Sequence, residues 1–111
     1  MDRGDFERIV HIGRYCEAVA KTIRRFGVSF EVFIADPDYY NSISMSVLQI
    51  GELANGLSDK FKTATRAEVP WNLIRGMRNH FAHGMKKWIK RKYGKLLRVT
   101  FRVSFAFANA L

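Results

Sequence analysis

Seven apolar residues, Tyr40, Ile43, Val47, Ile50, Ala54, Leu57 and Phe61, follow one another at steps of 3, 4, 3, 4, 3 and 4. This is an a/d seam, so the segment must form a long helix whose seam is covered by another helix. Asp36-Pro37 marks where it starts, an N-cap residue followed by proline at the first helical position. The covering helix can belong to the same chain or to a second copy, and periodicity does not choose between them.

A first helix is expected from Phe6, with Ile9, Val10, Cys16, Val19, Ala20 and Ile23 at helical spacing and Gly27 as its stop after Lys21, Arg24 and Arg25. Ser29 caps a short second helix through Phe30, Phe33 and Ile34. Residues 62–69 have no apolar period and read as a connection, after which Pro70-Trp71 opens a further helix. Leu73, Ile74, Met77 and Phe81 give that helix a buried face, and Gly84 ends it. Residues 1–84 therefore read as all-helical.

The 111 residues suit one domain with one core. The chain has no apolar run near the roughly 18 residues of a membrane span, and Met1-Asp2-Arg3-Gly4-Asp5 does not resemble a secretory signal. Cys16 falls at an apolar-periodic position and reads as a small core residue, in keeping with a reducing, cytoplasmic setting. The net charge of +9 is unevenly placed: residues 1–84 carry +1, and residues 85–111 hold eight Lys/Arg and no acid. The run Lys86, Lys87, Lys90, Arg91, Lys92 and Lys95 suits a phosphate backbone or a solvated end.

Further on, Val99, Phe101, Val103, Phe105 and Phe107 alternate with Arg98, Thr100, Arg102, Ser104 and Ala106, which is the period of a strand. A lone strand in a helical domain would be a disordered end, a docked arm or an aggregation hazard. On this reading residues 85–111 form a basic, exposed segment distinct from the 1–84 domain and make no closing helix.

The chemistry-bearing residues cluster late in the helical part. Ile50-Gly51-Glu52-Leu53-Ala54, Leu57-Ser58, Val69-Pro70-Trp71 and Ile74-Arg75-Gly76-Met77-Arg78-Asn79-His80-Phe81-Ala82-His83-Gly84 together resemble the HepT-like toxins of the HEPN superfamily in order and spacing. The resemblance covers roughly residues 5–84. It implies an antiparallel bundle of four to five helices that works as a homodimer. It also implies metal-independent RNA cleavage without a cofactor, and a minimal nucleotidyltransferase antitoxin as partner in a prokaryotic toxin-antitoxin system. Arg78, Asn79 and His83 are the catalytic candidates.

Elementary chemistry agrees with that assignment. RNA carries its own nucleophile, the 2'-hydroxyl, so the enzyme has only to move protons and stabilise charge. Imidazole titrates near neutral pH, which suits His83 as general base or acid. Arg78 offers a planar fork of donors to the phosphoryl oxygens. Asn79, four residues before His83, shares its helix face and can orient the ring or contact RNA. One arginine and one histidine per chain make a thin set, which a two-fold dimer would double.

The plainer readings are a polar last helical turn with His83 at its negative pole, and Trp71 as a core anchor rather than a base-stacking platform. His80 and His83 lack a nearby third ligand, which argues against a metal. Glu52 reads as a buried partner of Arg75 or Arg78, or as a surface residue.

The chain departs from the family pattern twice. Met85 stands where members controlled by adenylylation carry a tyrosine, and Tyr93 is too distant to replace it. The acid-free stretch after Gly84 stands where an amphipathic last helix is usual, as a shifted reading frame would produce. Two further readings follow: a non-catalytic partner of a nucleotidyltransferase with a vestigial motif, and a nucleic-acid-binding module driven by the basic end.

Overall fold

The computed structural model describes residues 2–69, 71, 72, 74–76, 91, 94 and 98. Among them the chain forms α1 (Arg3–Phe26), α2 (Phe30–Ala35), α3 (Pro37–Asn55) and α4 (Asp59–Thr65), and the backbone is helical again at Trp71, Asn72 and 74–76. No strand occurs among the described residues. No helix among them is long and apolar enough to cross a membrane.

The first three helices begin, and the first two end, where local chemistry says they should. Asp2 caps α1 by accepting from the Asp5 amide at 2.7 Å, and Gly27 ends it, its own amide bonding the Ile23 carbonyl. Gly27 has φ 90° and ψ 164°, a region that glycine occupies and other residues essentially do not. Ser29 caps α2 through the Val32 amide, and Asp36 caps α3 through the Asp38 amide with Pro37 behind it.

The seam of α3 is covered from within the chain. Ile9, Ile12, Cys16, Val19 and Ile23 of α1 and Ile43, Val47, Ile50 and Ala54 of α3 belong to one buried cluster, and α1 packs against α3. The two run antiparallel, because Thr22 near the end of α1 bonds Ser42 near the start of α3, while Asp5 near the start of α1 reaches Ser58 beyond the end of α3. The long-helix seam is thus spent on the monomer core and is not available to hold a dimer.

At the α1–α2–α3 corner the buried tyrosine is Tyr39 rather than Tyr40 of the seam; Tyr40 is only partly buried. Tyr39 stacks on Phe26 with centroids 4.9 Å apart, meets Phe33 edge-on at 5.1 Å, and donates its hydroxyl to the Gly27 carbonyl at 2.9 Å. An apolar site with one waiting acceptor selects a phenol. Phe6, at the start of the expected apolar face, is instead 48% exposed, and Ile12 fills the core in its place.

The largest correction concerns the end of the long helix, which the seam carries to Phe61. α3 stops at Asn55, Gly56 and Leu57 turn, and α4 starts after Ser58, so residues 62–65 are helical rather than part of a connection. A continuous helix would bond the Ser58 amide to the Ala54 carbonyl; here that amide donates to Asp5 Oδ1 at 2.9 Å, and the Ser58 hydroxyl donates to Asp5 Oδ2 at 2.6 Å. Ser58 is held extended at φ −65° and ψ 149° and accepts from the Phe61 amide as the N-cap of α4. Gly56 permits the close passage of Arg8, since a Cβ there would stand 2.6 Å from Arg8 Nε. Leu57 remains buried, so the seam continues through the break without the helix.

Asp5 is itself 3% exposed, and its bonds from Ser58 hold its carboxyl below the ordinary value of 3.8. A carboxyl with a lowered folded pKa contributes stability that is complete above its unfolded pKa and is lost as pH falls through the folded value. Asp5→Asn should cost about 2 kcal/mol at neutral pH, the scale of a hydrogen bond to a charged group. It should also flatten the loss of melting temperature below about pH 4. Thermal melts of both proteins across the acid range check this; identical acid slopes would remove Asp5 from the account.

Beyond Gly84 the described positions are Arg91, Gly94 and Arg98, which are helical and exposed, and the expectation of no closing helix otherwise falls outside the described residues. The rest of the strand-like alternation at 99–107 lies outside the described residues.

Candidate active site

The motif helix is reached through a short, tightly bonded approach. α4 ends at Thr65, and the amides of Glu68 and Val69 both return to the Thr65 carbonyl at 3.0 Å, which folds residues 66–68 into a turn. Val69 is buried, and the following helical residues bury Trp71 at 8% exposure and Ile74 at 0%. Asn72 and Arg75 face solvent. Trp71 and Ile74 are three apart, one helical turn, so the helix enters with an apolar stripe against the core.

Thr65 fastens this entry. Its hydroxyl donates to the Phe61 carbonyl at 2.8 Å and accepts from Trp71 Nε1 at 2.9 Å, using both capacities of one oxygen. The Trp71 ring lies against Phe61, with centroids 6.2 Å apart. An indole with its N–H satisfied and its faces covered cannot receive an RNA base, so Trp71 is the core anchor of the sequence reading and not a stacking platform. The fastening continues backwards: Phe61 belongs to α4, whose cap Ser58 is tied to Asp5 of α1. The start of the motif helix is therefore linked to the first helix through α4.

The candidates Arg78, Asn79 and His83 lie outside the described residues, as do His80, Gly84 and Met85. What the described residues supply is the approach to the motif at 71–76. Glu52 is exposed rather than buried. Cys16 is fully buried within α1, the core role its periodic position implies. Among the described residues, no three His, Cys, Asp or Glu side chains converge as a metal ion would require.

Two features of this approach escaped sequence reasoning. The Asp5–Ser58 tie joins residues 53 apart and carries no local signal beyond the caps themselves. Thr65 sits in a stretch without apolar period, where nothing marks one hydroxyl as special.

A protein of Caldanaerobacter subterraneus subsp. tengcongensis named "Putative RNase TTE0752" is 34% identical over 73 residues, 66% of this chain and 62% of its own length. The chain thus matches less than two thirds of that relative. No solved structure matches the chain. The family model described as Ribonuclease HepT-like matches residues 14–87, which is more than half of the chain and runs through Trp71, Arg78, Asn79 and His83. With its helical core and that match, the chain belongs to the HepT-like ribonuclease family.

Proposed function

We propose that this protein is a metal-independent endoribonuclease that acts in the cytoplasm as the toxin of a prokaryotic toxin-antitoxin system and is neutralised by an antitoxin of nucleotidyltransferase fold. The single observation that carries the reading is the family match over residues 14–87, which includes Arg78-Asn79-His80-Phe81-Ala82-His83 in full. The name of the Caldanaerobacter relative points to the same activity.

In the proposed reaction His83 takes the proton of a 2'-hydroxyl, and the resulting oxygen attacks the adjacent phosphorus. The bond from phosphorus to the 5'-oxygen breaks, leaving a 2',3'-cyclic phosphate and a free 5'-hydroxyl once that oxygen is protonated. Arg78 stabilises the negative charge that builds on the phosphoryl oxygens. Asn79 orients the imidazole or holds the RNA. A homodimer with a shared cleft supplies a second histidine, so that one ring accepts and the other donates a proton. Because the α3 seam is buried in the monomer, the dimer of this proposal uses other surfaces.

Incubation of purified protein with RNA in excess chelator, followed by analysis of the product ends, tests the reading. Cyclic phosphate and 5'-hydroxyl ends are expected. Cleavage that stops in chelator would assign a metal nuclease instead. No cleavage at all would favour the non-catalytic partner, the reading suggested by the acid-free stretch from 85 to 111.

A further inference from the structure

The outer face of α1 carries a feature that the motif chemistry leaves unused. Arg14, Glu17, Ala18, Ala20, Lys21 and Arg24 line an open groove there. Arg14, Lys21 and Arg24 are exposed, and among the described residues none of them makes an ion pair or hydrogen bond. Glu17 is the one acid among the described lining residues.

At about 100° per residue, Arg14 and Lys21 point within roughly 20° of each other and Arg24 lies about 60° beyond Lys21. With a rise of about 1.5 Å per residue the three cations span about 15 Å along the helix. That length matches about four nucleotides of a stacked strand at ~3.4 Å each. Between the cations the groove is lined by Glu17 and by the small Ala18 and Ala20, so basic side chains outnumber the acid three to one.

We propose that this groove on α1 binds the phosphate backbone of an RNA strand, as a site separate from the Arg78–His83 motif. RNA is favoured over an acidic protein because protein interfaces are anchored by apolar and aromatic side chains. Among the described residues, none of the exposed large apolar side chains, Phe6, Val28, Val32, Ile34 and Met45, lines the groove. Three exposed cations without a partner or an apolar anchor among the described residues suit a polyanion held by charge, with little preference for sequence.

The choice of RNA as the polyanion rests on the ribonuclease reading, so the test measures binding without cleavage. A short labelled 2'-O-methyl RNA, which no 2'-hydroxyl attack can cut, is titrated at several salt concentrations. The proteins are the wild type, the Arg14→Gln/Lys21→Gln/Arg24→Gln variant, and a control with equal charge removed elsewhere, Arg3→Gln/Lys60→Gln/Arg66→Gln. Glutamine keeps helix propensity at these exposed positions, and circular dichroism verifies the fold. The groove variant should bind at least about 10-fold more weakly at low salt, and its slope of log affinity against log salt should fall by about 2, or about 0.7 for each lost phosphate contact. The control should change less in both respects. Equal losses in the two variants would reduce the effect to net charge and overturn the proposal, as would unchanged affinity and slope. Loss of binding to polyglutamate but not to RNA would overturn it in favour of an acidic protein. A protein that cleaves nothing yet shows the expected losses leaves the groove in place and removes only the catalytic reading.

Discussion

The His83→Ala protein is expected to lose ~10²- to 10⁴-fold in cleavage rate while keeping RNA affinity close to that of the unaltered protein. The substitution removes a proton carrier and leaves the phosphate-binding groups in place. Arg78→Ala should lower both quantities, because a guanidinium holds the phosphate before reaction and holds it more tightly as charge develops. Single-turnover rates at saturating RNA, together with binding to an uncleavable RNA, separate the two effects. Both measurements belong in chelator, so that a contaminating metal nuclease cannot mask the loss. Full activity of the His83→Ala protein under those conditions would end the assignment. If two subunits share one cleft, mixing the two impaired proteins should restore part of the activity once subunits exchange, since some clefts then hold an intact arginine beside an intact histidine.

The second large effect is on folding. Trp71→Ala should cost about 3 to 5 kcal/mol, the range for emptying a buried large aromatic site. Beyond the cavity, it strips Phe61 of its aromatic neighbour and Thr65 of a donor. Trp71→Phe should recover part of the loss and leave a deficit of about 2 kcal/mol, because a ring still packs there while the indole N–H bond and part of the buried ring volume are gone. Urea unfolding of the three proteins measures both steps. If Trp71→Ala left the unfolding midpoint where it was, the indole would not be anchoring the motif helix at all. Cleavage by the alanine protein should fall with the folded fraction, and lowering the temperature should restore it where His83→Ala shows no recovery.

The parts of the fold legible in the sequence are those written in neighbouring residues. Gly27, Ser29 and Asp36-Pro37 act within one turn of the chain, and each marks a helix boundary the structure keeps. The seam of α3 was legible as a buried stripe for the same reason, and its covering helix proved to be α1. The break at Gly56–Ser58 was not legible, because Leu57 and Phe61 continue the 3–4 spacing while the cause lies in a carboxylate 53 residues away. Tyr39 displaced Tyr40 as the buried tyrosine through a carbonyl that only the folded corner brings near.

At the candidate site, Trp71 and Ile74 followed from proline, aromatic and apolar spacing, and the structure buries both. Arg78, Asn79 and His83 rest on the motif and on the family that shares it. Arg24, by contrast, was legible only as a basic residue suited to the end of α1; its part in a groove with Arg14 and Lys21 depends on the surrounding surface.

The clasp between Asp5 and Ser58 sets a boundary on what can be cut away. Similarity to the family starts at residue 14, yet the carboxylate that caps this turn and the core residues Ile9 and Ile12 all come before it. A protein trimmed to residues 14–87 would leave the Ser58 amide and hydroxyl without their acceptor and open one end of the α1–α3 interface to water. The stretch that relatives share is thus shorter than the stretch that must be expressed for this domain to hold its shape. Excision at the edge of similarity would yield a soft, protease-sensitive fragment even with every motif residue present.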